Sequence, residues 1–362
     1  MAEEMGDSTQ AGETTKVWRA IDASANRAGE ALRVLEDVAR FVLDDPHLTR
    51  LAKELRHDLA AALAAGLRDR VFLRDVAGDV GAGMTAAAGL GRTSPGDVIA
   101  ANAARGTQSL RSLEECVPLV AAHVAGRFEP LRYRLYRLER LLLTALRARD
   151  RLGATSLCVL VDGRAESREF ERLVESLLEA GVRMLQIRDK TLDAARLVDR
   201  GRTAVAIARR RLPEGGAMII VNDRADVAVA ADADGVHVGA CDLPVSAARG
   251  VIGPHRLLGR TAHDLAEARA AVEEGADYLG VGPCFPSTTK RFEAFAPPEF
   301  LRAVPREIGL PAFAIGGITL ERLDELAATG IERLAVASAV TGAADPAAAA
   351  ATIIDRWARL RG

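Results

Sequence analysis

Aromatic residues make up only 4% of this 362-residue chain, and cysteine is scarcer still. Cys116, Cys158, Cys241 and Cys284 form no CxxC pair, and no histidine stands at zinc-ligand spacing. That excludes a disulfide framework or a sequence-encoded zinc module, and fits a reduced, cytoplasmic protein. An excess of one charge is missing too: 48 Lys and Arg face 50 Asp and Glu. Nothing therefore advertises nucleic acid or an anionic membrane as a partner. No apolar run approaches the roughly 20 residues that span a bilayer. The segment Met1–Thr15 has no apolar stretch of a signal peptide; it is polar and acidic and reads as a disordered tail. A P-loop is also lacking, because Gly253–Thr261 has loop-like glycines without the Gly-Lys pair.

What is present is alternation. Eight short hydrophobic runs read as strands: Leu157–Val161, Met184–Ile187, Met218–Val221, Gly235–Val238, Leu257–Gly259, Tyr278–Val281, Ala312–Ile315 and Leu334–Val336. Helical patterns lie between them at Ser167–Ala180, Leu192–Arg211, Leu265–Glu274 and Leu320–Thr329. Eightfold strand–helix alternation predicts a parallel (β/α)₈ TIM barrel over residues 151–362. Abundant alanine suits helices packed closely around it.

Residues 16–150 follow a different grammar, with no strand alternation and long helical periodicity at Ala28–Val42, Leu48–Ala65, Pro95–Val124 and Arg132–Arg149. An all-α domain is expected there, joined to the barrel by a short charged linker at Arg149–Thr155. It carries a weak repeat. Arg27, Glu30, Leu32, Arg33, Leu35, Glu36 and Asp37 recur as Arg105, Gln108, Leu110, Arg111, Leu113, Glu114 and Glu115. Such helices bind ligands in one reading and are salt-bridged surface helices in the other.

The polar motifs of the barrel half sit just past strand ends, where a TIM barrel places its chemistry. Strand two ends Gln186-Ile187-Arg188-Asp189-Lys190. Alternation aims Gln186, Arg188 and Lys190 into the same mouth, a set suited to a polyanion unless acids on neighbouring strands pair the cations. Asn222-Asp223 and Asp242 end the next two strands. Asn-Asp alone is a common turn, but two acids beside two cations suit Mg²⁺ with a diphosphate. His237 reads as a packed strand-end histidine, and Cys284 as filler. Strand six opens into a hydroxyl-rich loop ending Ser287-Thr288-Thr289-Lys290. Gly316-Gly317 and Ala337-Ser338 follow strands seven and eight, the phosphate-binding position of this fold.

Taken in order, Gln-x-Arg-x-Lys, Asn-Asp, Gly-Val-His-Val-Gly-x-x-Asp, Gly-x-Gly-Pro-x-Phe-x-x-Thr-Lys and Ala-Ile-Gly-Gly-Ile resemble the thiamine-phosphate synthase family over Ser156–Val340. The resemblance implies that 4-amino-2-methyl-5-hydroxymethylpyrimidine diphosphate is joined to 4-methyl-5-(2-phosphoethyl)thiazole, with release of diphosphate. It further implies that Gln186, Arg188, Lys190, Asn222, Thr261 and Lys290 hold the pyrimidine diphosphate. Asp223 and Asp242 would bind one Mg²⁺, and Ser287, Thr288, Thr289, Gly317, Ala337 and Ser338 the thiazole phosphate. Arg188, Lys190 and Lys290 would carry catalysis by neutralising the leaving group. Three positions depart from the pattern: Arg260 where a small residue is common, Ser287 for Thr, and Ala337 for a branched residue.

The helical half is similar to the alternative hydroxymethylpyrimidine-phosphate kinase family over Trp18–Leu138, through Asp22-x-x-x-Asn26-Arg27, Gly29-Glu30-x-Leu32-Arg33, Arg56-His57, Arg74-Asp75, Asp79-Val80-Gly81 and Asn102-x-x-Arg105. By that resemblance Asn26, Arg27, Glu30, Arg33, Arg56, His57, Arg74, Asp75, Asp79, Asn102 and Arg105 are the candidate site, with ATP-Mg as co-substrate. Three readings follow for the chain, which on any of them acts on small molecules and leaves a homo-oligomer open. It is a bifunctional transferase, a monofunctional synthase whose helices dimerise or brace it, or a barrel acting on a sugar phosphate.

Overall fold

The computed structural model describes residues 2–75, 79–80, 91–153, 155–213, 216–286 and 295–362, with side chains from Thr14 on. The chain divides into two compact units, Met1–Leu146 and Arg147–Gly362.

The regular structure described in the first unit is helical: α1 (Ala2–Asp37), α2 (Pro46–Ala64), α3 (Pro95–Cys116), α4 (Pro118–Ala125) and the greater part of α5 (Phe128–Leu152). The acidic stretch expected as a tail is the beginning of α1. A π-helical turn, Val38–Val42, follows α1 directly. Local chemistry sets the starts. Asp45 caps α2 by accepting from Leu48 N, with Pro46 in the first turn. Ser94 and Asp97 form a reciprocal capping box at α3, again followed by a proline. Pro118 lacks the N–H needed to continue α3, so the single helix expected over Pro95–Val124 divides there. The repeat is a packing repeat. Leu32, Leu35, Leu110 and Leu113 are all fully buried, and α1 packs chiefly on α3.

The second unit is a closed barrel of eight parallel strands in sequential order. They are β1 (Leu157–Val161), β2 (Met184–Ile187), β3 (Met218–Asn222), β4 (Gly235–Val238), β5 (Leu257–Ala262), β6 (Tyr278–Val281), β7 (Ala312–Ile315) and β8 (Arg333–Val336). Around them run α6 (Ser167–Glu179), α7 (Ala194–Arg211), α8 (Ala225–Ala230), α9 (Val245–Ile252), α10 (Leu265–Glu274), α11 (Pro298–Glu307), α12 (Leu323–Ala327), α13 (Ser338–Thr341) and α14 (Pro346–Arg361). The interior is packed solid. Cys158, Leu160, Met184, Met218, Ile220, Leu257, Tyr278, Phe313 and Ala335 form one buried cluster, joined by Leu152 from the end of α5.

The residues expected as a linker are therefore helix as far as Leu152, and they belong to the barrel. Arg147 donates to Asp277 Oδ1 at 2.8 Å, Arg149 to Gly309 O at 3.1 Å and Arg151 to His255 O at 2.9 Å. Asp277 is wholly buried, shared with Arg249 at 2.5 Å, and also accepts from Leu258 N at 2.8 Å. A carboxylate so enclosed needs these partners, because an unpaired buried charge is costly.

Candidate active site

A cavity of about 480 Å³ opens at the C-terminal ends of the strands. Gln186, Arg188, Lys190, Asn222, Asp223, Asp242, Thr261, Gly317, Ala337 and Ser338 all line it. Ser287, Thr288, Thr289 and Lys290 lie outside the described residues. The cavity also takes in His237, His263 and Cys241, which sequence reasoning had not placed in a site. Strand parity held the signal for the histidines: His237 is the ladder partner of Asn222, and His263 shares the inward register of Thr261.

The loop after β2 is rigidly built. Asp189 accepts from Thr191 N at 2.7 Å, Thr191 Oγ1 at 2.6 Å, Leu192 N at 3.1 Å and Gly163 N at 3.0 Å. These four bonds outweigh the effect of partial burial and hold its carboxyl below the usual range. Asp189 thus anchors the turn while Arg188 and Lys190 on either side face the cavity. Among the described residues neither cation has an ion pair or a side-chain hydrogen bond. The acid at the end of the neighbouring strand, Asp223, feels the field of both cations without forming an ion pair with either.

Asp223 and Asp242 meet at the cavity wall. Asp223 adopts φ +62°, an uncommon conformation for a non-glycine residue, and its N–H donates to His237 O at 2.8 Å. Asp242 is fixed by Gly239 N, which donates to its Oδ2 at 2.7 Å. Burial, then a hydrogen bond to Asp242, then that neighbour's charge push the Asp223 carboxyl up to about 6, against the pull of Lys190 and Arg188. Two carboxylates forced together beside open space repel one another unless a proton or a cation lies between them. This donor set fits a hard divalent ion that completes its shell with phosphate oxygens and water.

Arg260 projects from β5 on the face opposite Thr261, which is why a large cation is tolerated beside the pocket. Its guanidinium donates to Gly239 O, bracing the turn that carries Asp242. His237 is buried, with Nε2 2.9 Å from Thr261 Oγ1. Burial, and next the charge of Arg260, push its pKa down to about 4, so the imidazole is neutral near pH 7. On the far wall, Gly316 and Gly317 have φ +99° and +63°. A Cβ on Gly317 would overlap the carbonyl oxygens of Phe285 and Pro286. Only glycine allows this turn to fold so closely over the cavity.

Within the helical unit a second cavity, about 550 Å³, is lined by Lys16, Arg19, Asp22, Asn26, Arg27, Arg74, Asp75 and Asp79 among others. Asn26, Arg27, Arg74, Asp75 and Asp79 were expected in a site; Lys16 and Arg19 were not. Asp22 is buried and holds the wall together, accepting from Arg74 at 2.6 and 3.1 Å and from Asn26 at 3.2 Å. The remaining expected residues do not line this cavity. Arg33 and Arg56 are held by Glu36, at 3.7 and 2.6 Å. The repeat reproduces that clamp: Arg111 and Arg132 hold Glu114 at 2.9 and 2.6 Å. For these pairs the salt-bridged alternative describes what their side chains do. Asn102 is buried and bonds Val98 O at 2.8 Å, while Glu30, His57 and Arg105 are exposed.

Comparison with known proteins gives this arrangement a family. Residues 157–340 match the family described as thiamine monophosphate synthase, and residues 19–141 match the ThiD2 family. A thiamine-phosphate synthase of Rhodopirellula baltica is 41% identical, over 91% of this chain and 89% of its own. The chain belongs to the thiamine-phosphate synthase family. A relative of the same description from Synechococcus sp. is 39% identical over 95% of this chain and 97% of its own. Among solved structures, a thiamine phosphate pyrophosphorylase from Pyrococcus furiosus is 34% identical with a TM-score of 0.50, covering 59% of this chain and 99% of that one. Membership makes the chain a transferase of thiamine biosynthesis and decides against the sugar-phosphate reading. Among the described residues no helix is long and apolar enough to cross a membrane.

Proposed function

We propose that the barrel joins the pyrimidine diphosphate to the thiazole phosphate with Asp223, Asp242, Arg188 and Lys190 as its charge-handling set. The observation that carries this is the meeting of two crowded carboxylates with two cations that form no ion pair among the described residues, at one strand-end cavity. Gln186, Asn222 and Thr261 would hold the pyrimidine. Arg188 and Lys190, with Lys290, would neutralise diphosphate as the carbon–oxygen bond breaks. The electron-rich aminopyrimidine carries the resulting benzylic-type cation until the thiazole nitrogen attacks it, so no protein nucleophile is needed. Backbone N–H groups at Gly317, Ala337 and Ser338, with the loop 287–289, would hold the thiazole phosphate. Asp223 and Asp242 would hold Mg²⁺, which when bound supplies further charge neutralisation to the diphosphate.

A pH dependence follows from Asp223. Its raised pKa means a proton competes with the metal below about 6. Apparent Mg²⁺ affinity should fall roughly tenfold per unit below that value and level off above it. Calorimetric Mg²⁺ titrations at several pH values test this, and an affinity unchanged through the window counts against the assignment. For the metal-free chain the sign is opposite. The stability contributed by a raised carboxyl is present at low pH and is lost as pH climbs through about 6.

For the helical unit the reading is phosphorylation of the pyrimidine monophosphate by ATP-Mg at the Asn26, Arg27, Arg74, Asp75 and Asp79 cavity. Phosphoryl transfer needs positioning and charge neutralisation, which these side chains offer without a P-loop. Its product is the substrate of the barrel, which gives the fusion a chemical reason. The intact protein, given pyrimidine monophosphate, thiazole phosphate, ATP and Mg²⁺, should make thiamine phosphate. Arg27→Ala should cut this by about a hundredfold, the scale for one electrostatic contact, while synthesis from supplied diphosphate is unchanged. Synthesis from diphosphate alone, with ATP and monophosphate inert, would leave the helices a brace.

A further inference from the structure

Two buried polar atoms beneath the barrel cavity lack hydrogen-bond partners among the described residues: Nδ1 of His237 and the hydroxyl of Tyr278. They are neighbours. Both lie no more than 2.5 Å from the point where a Cβ on Gly259 would stand, so the glycine leaves nothing between them. Their rings are 5.5 Å apart at the centroids and inclined by 38°. Tyr278 is pinned edge-on by Phe313 at 5.7 Å, deep in the barrel core. On its other side His237 already reaches the cavity wall, with Nε2 2.9 Å from Thr261 Oγ1.

We propose that Tyr278 and His237 form a hydrogen-bond relay that fixes Thr261 as a donor towards the cavity, selecting a ligand with a ring-nitrogen lone pair there. This rests on the reading that the pyrimidine lies against Thr261. The direction follows from counting donors. A tyrosine hydroxyl buried among apolar side chains has a hydrogen to place, and the neighbouring acceptor is the imidazole Nδ1. Making that bond requires the two rings to turn towards one another from their present 38° inclination. With Nδ1 accepting, the neutral imidazole must carry its proton on Nε2 and donate it to Thr261 Oγ1. The threonine's own hydrogen is then free to point into the cavity. In the opposite tautomer Thr261 donates to Nε2 and Nδ1–H donates to the tyrosine oxygen. That strands the tyrosine hydrogen in the core and leaves the threonine only lone pairs to offer. The first arrangement satisfies every buried donor, and the second does not. Tyr278 and His237 are positioning residues here; Thr261 is the group that touches the ligand.

The tautomer can be read directly from ¹⁵N-histidine-labelled full-length protein, with the His237 resonances assigned by their loss in His237→Gln. Wild-type protein should show Nε2 protonated and Nδ1 accepting, and Tyr278→Phe should shift that pattern. Nδ1 protonated in wild-type protein, or no response to Tyr278→Phe, overturns the relay. Kinetics give the second arm. Tyr278→Phe and Thr261→Ala should each raise KM for the pyrimidine diphosphate about tenfold, the scale of one hydrogen bond, with KM for the thiazole phosphate unchanged. Thr261→Ser should restore it. The double variant should be no worse than Thr261→Ala alone. Multiplying effects would mean Tyr278 acts only through packing and would sink the proposal. If wild-type protein made no thiamine phosphate, the pyrimidine reading would fail, and the substrate-free spectrum would still decide the relay.

Discussion

Asp223→Asn or Asp242→Asn is expected to lower synthase turnover by about two orders of magnitude, the scale for removing one electrostatic stabiliser of developing charge. The two should not behave alike in the absence of metal. Asp223 is half enclosed and crowded by its neighbour, so its neutral substitute relieves repulsion and should leave the metal-free fold as stable or slightly more so. Asp242 accepts from Gly239 N. Asn can still accept there with its amide oxygen, so the turn should survive. Loss of activity with retained thermal stability in both variants is the expected pattern. A fully active Asp223→Asn, or wild-type activity undiminished in excess chelator, would remove these residues from the metal assignment.

Gly317→Val should be comparably damaging and differently distributed. The residue sits at φ +63° under two carbonyl oxygens, so a branched side chain must displace the turn that faces the cavity. A displacement near 1 Å is enough for a loss on the order of a hundredfold in kcat/KM. It should fall mainly on KM for the thiazole phosphate. Arg188→Ala should instead lower kcat more than that KM, because its charge matters most as the leaving group forms. Steady-state kinetics with each substrate varied in turn separate the two, and equal effects on thiazole KM would contradict this division of the cavity.

Much of the barrel was legible because its strands are hydrophobic runs bounded by polar residues. The hydrophobic run ends before the strand does where the strand carries its own functional residues. β3 continues into Asn222, and β5 continues through Arg260, Thr261 and Ala262. Backbone pairing persists past the point where hydrophobicity stops: Asn222 is registered with His237, and Thr261 with Gly280. Short helices such as α8 and α9 lack enough turns to show a period. The line-up of cavity residues followed from strand parity, but their mutual contacts did not. That Asp223 touches Asp242, or that His237 serves Thr261, depends on barrel closure bringing neighbouring strand ends together. In the helical unit, Arg27 and Arg33 look equivalent in sequence. Only the fold shows one facing a cavity and the other occupied by Glu36 and Asp37.

The arginine-studded end of α5 bears on how this protein can be divided. A barrel cut at residue 157, where the family match begins, would lose Leu152 from its interior cluster and Arg147 from Asp277. Asp277 would keep Arg249 and the Leu258 N–H, yet remain a fully enclosed charge with half its neutralising shell removed. Breaking a buried pair costs about 3–5 kcal/mol, and less here because Arg147 is partly solvated. That is still a large fraction of a domain's net stability. A separately expressed synthase should therefore begin before Arg147 and carry a stub of helix as its floor.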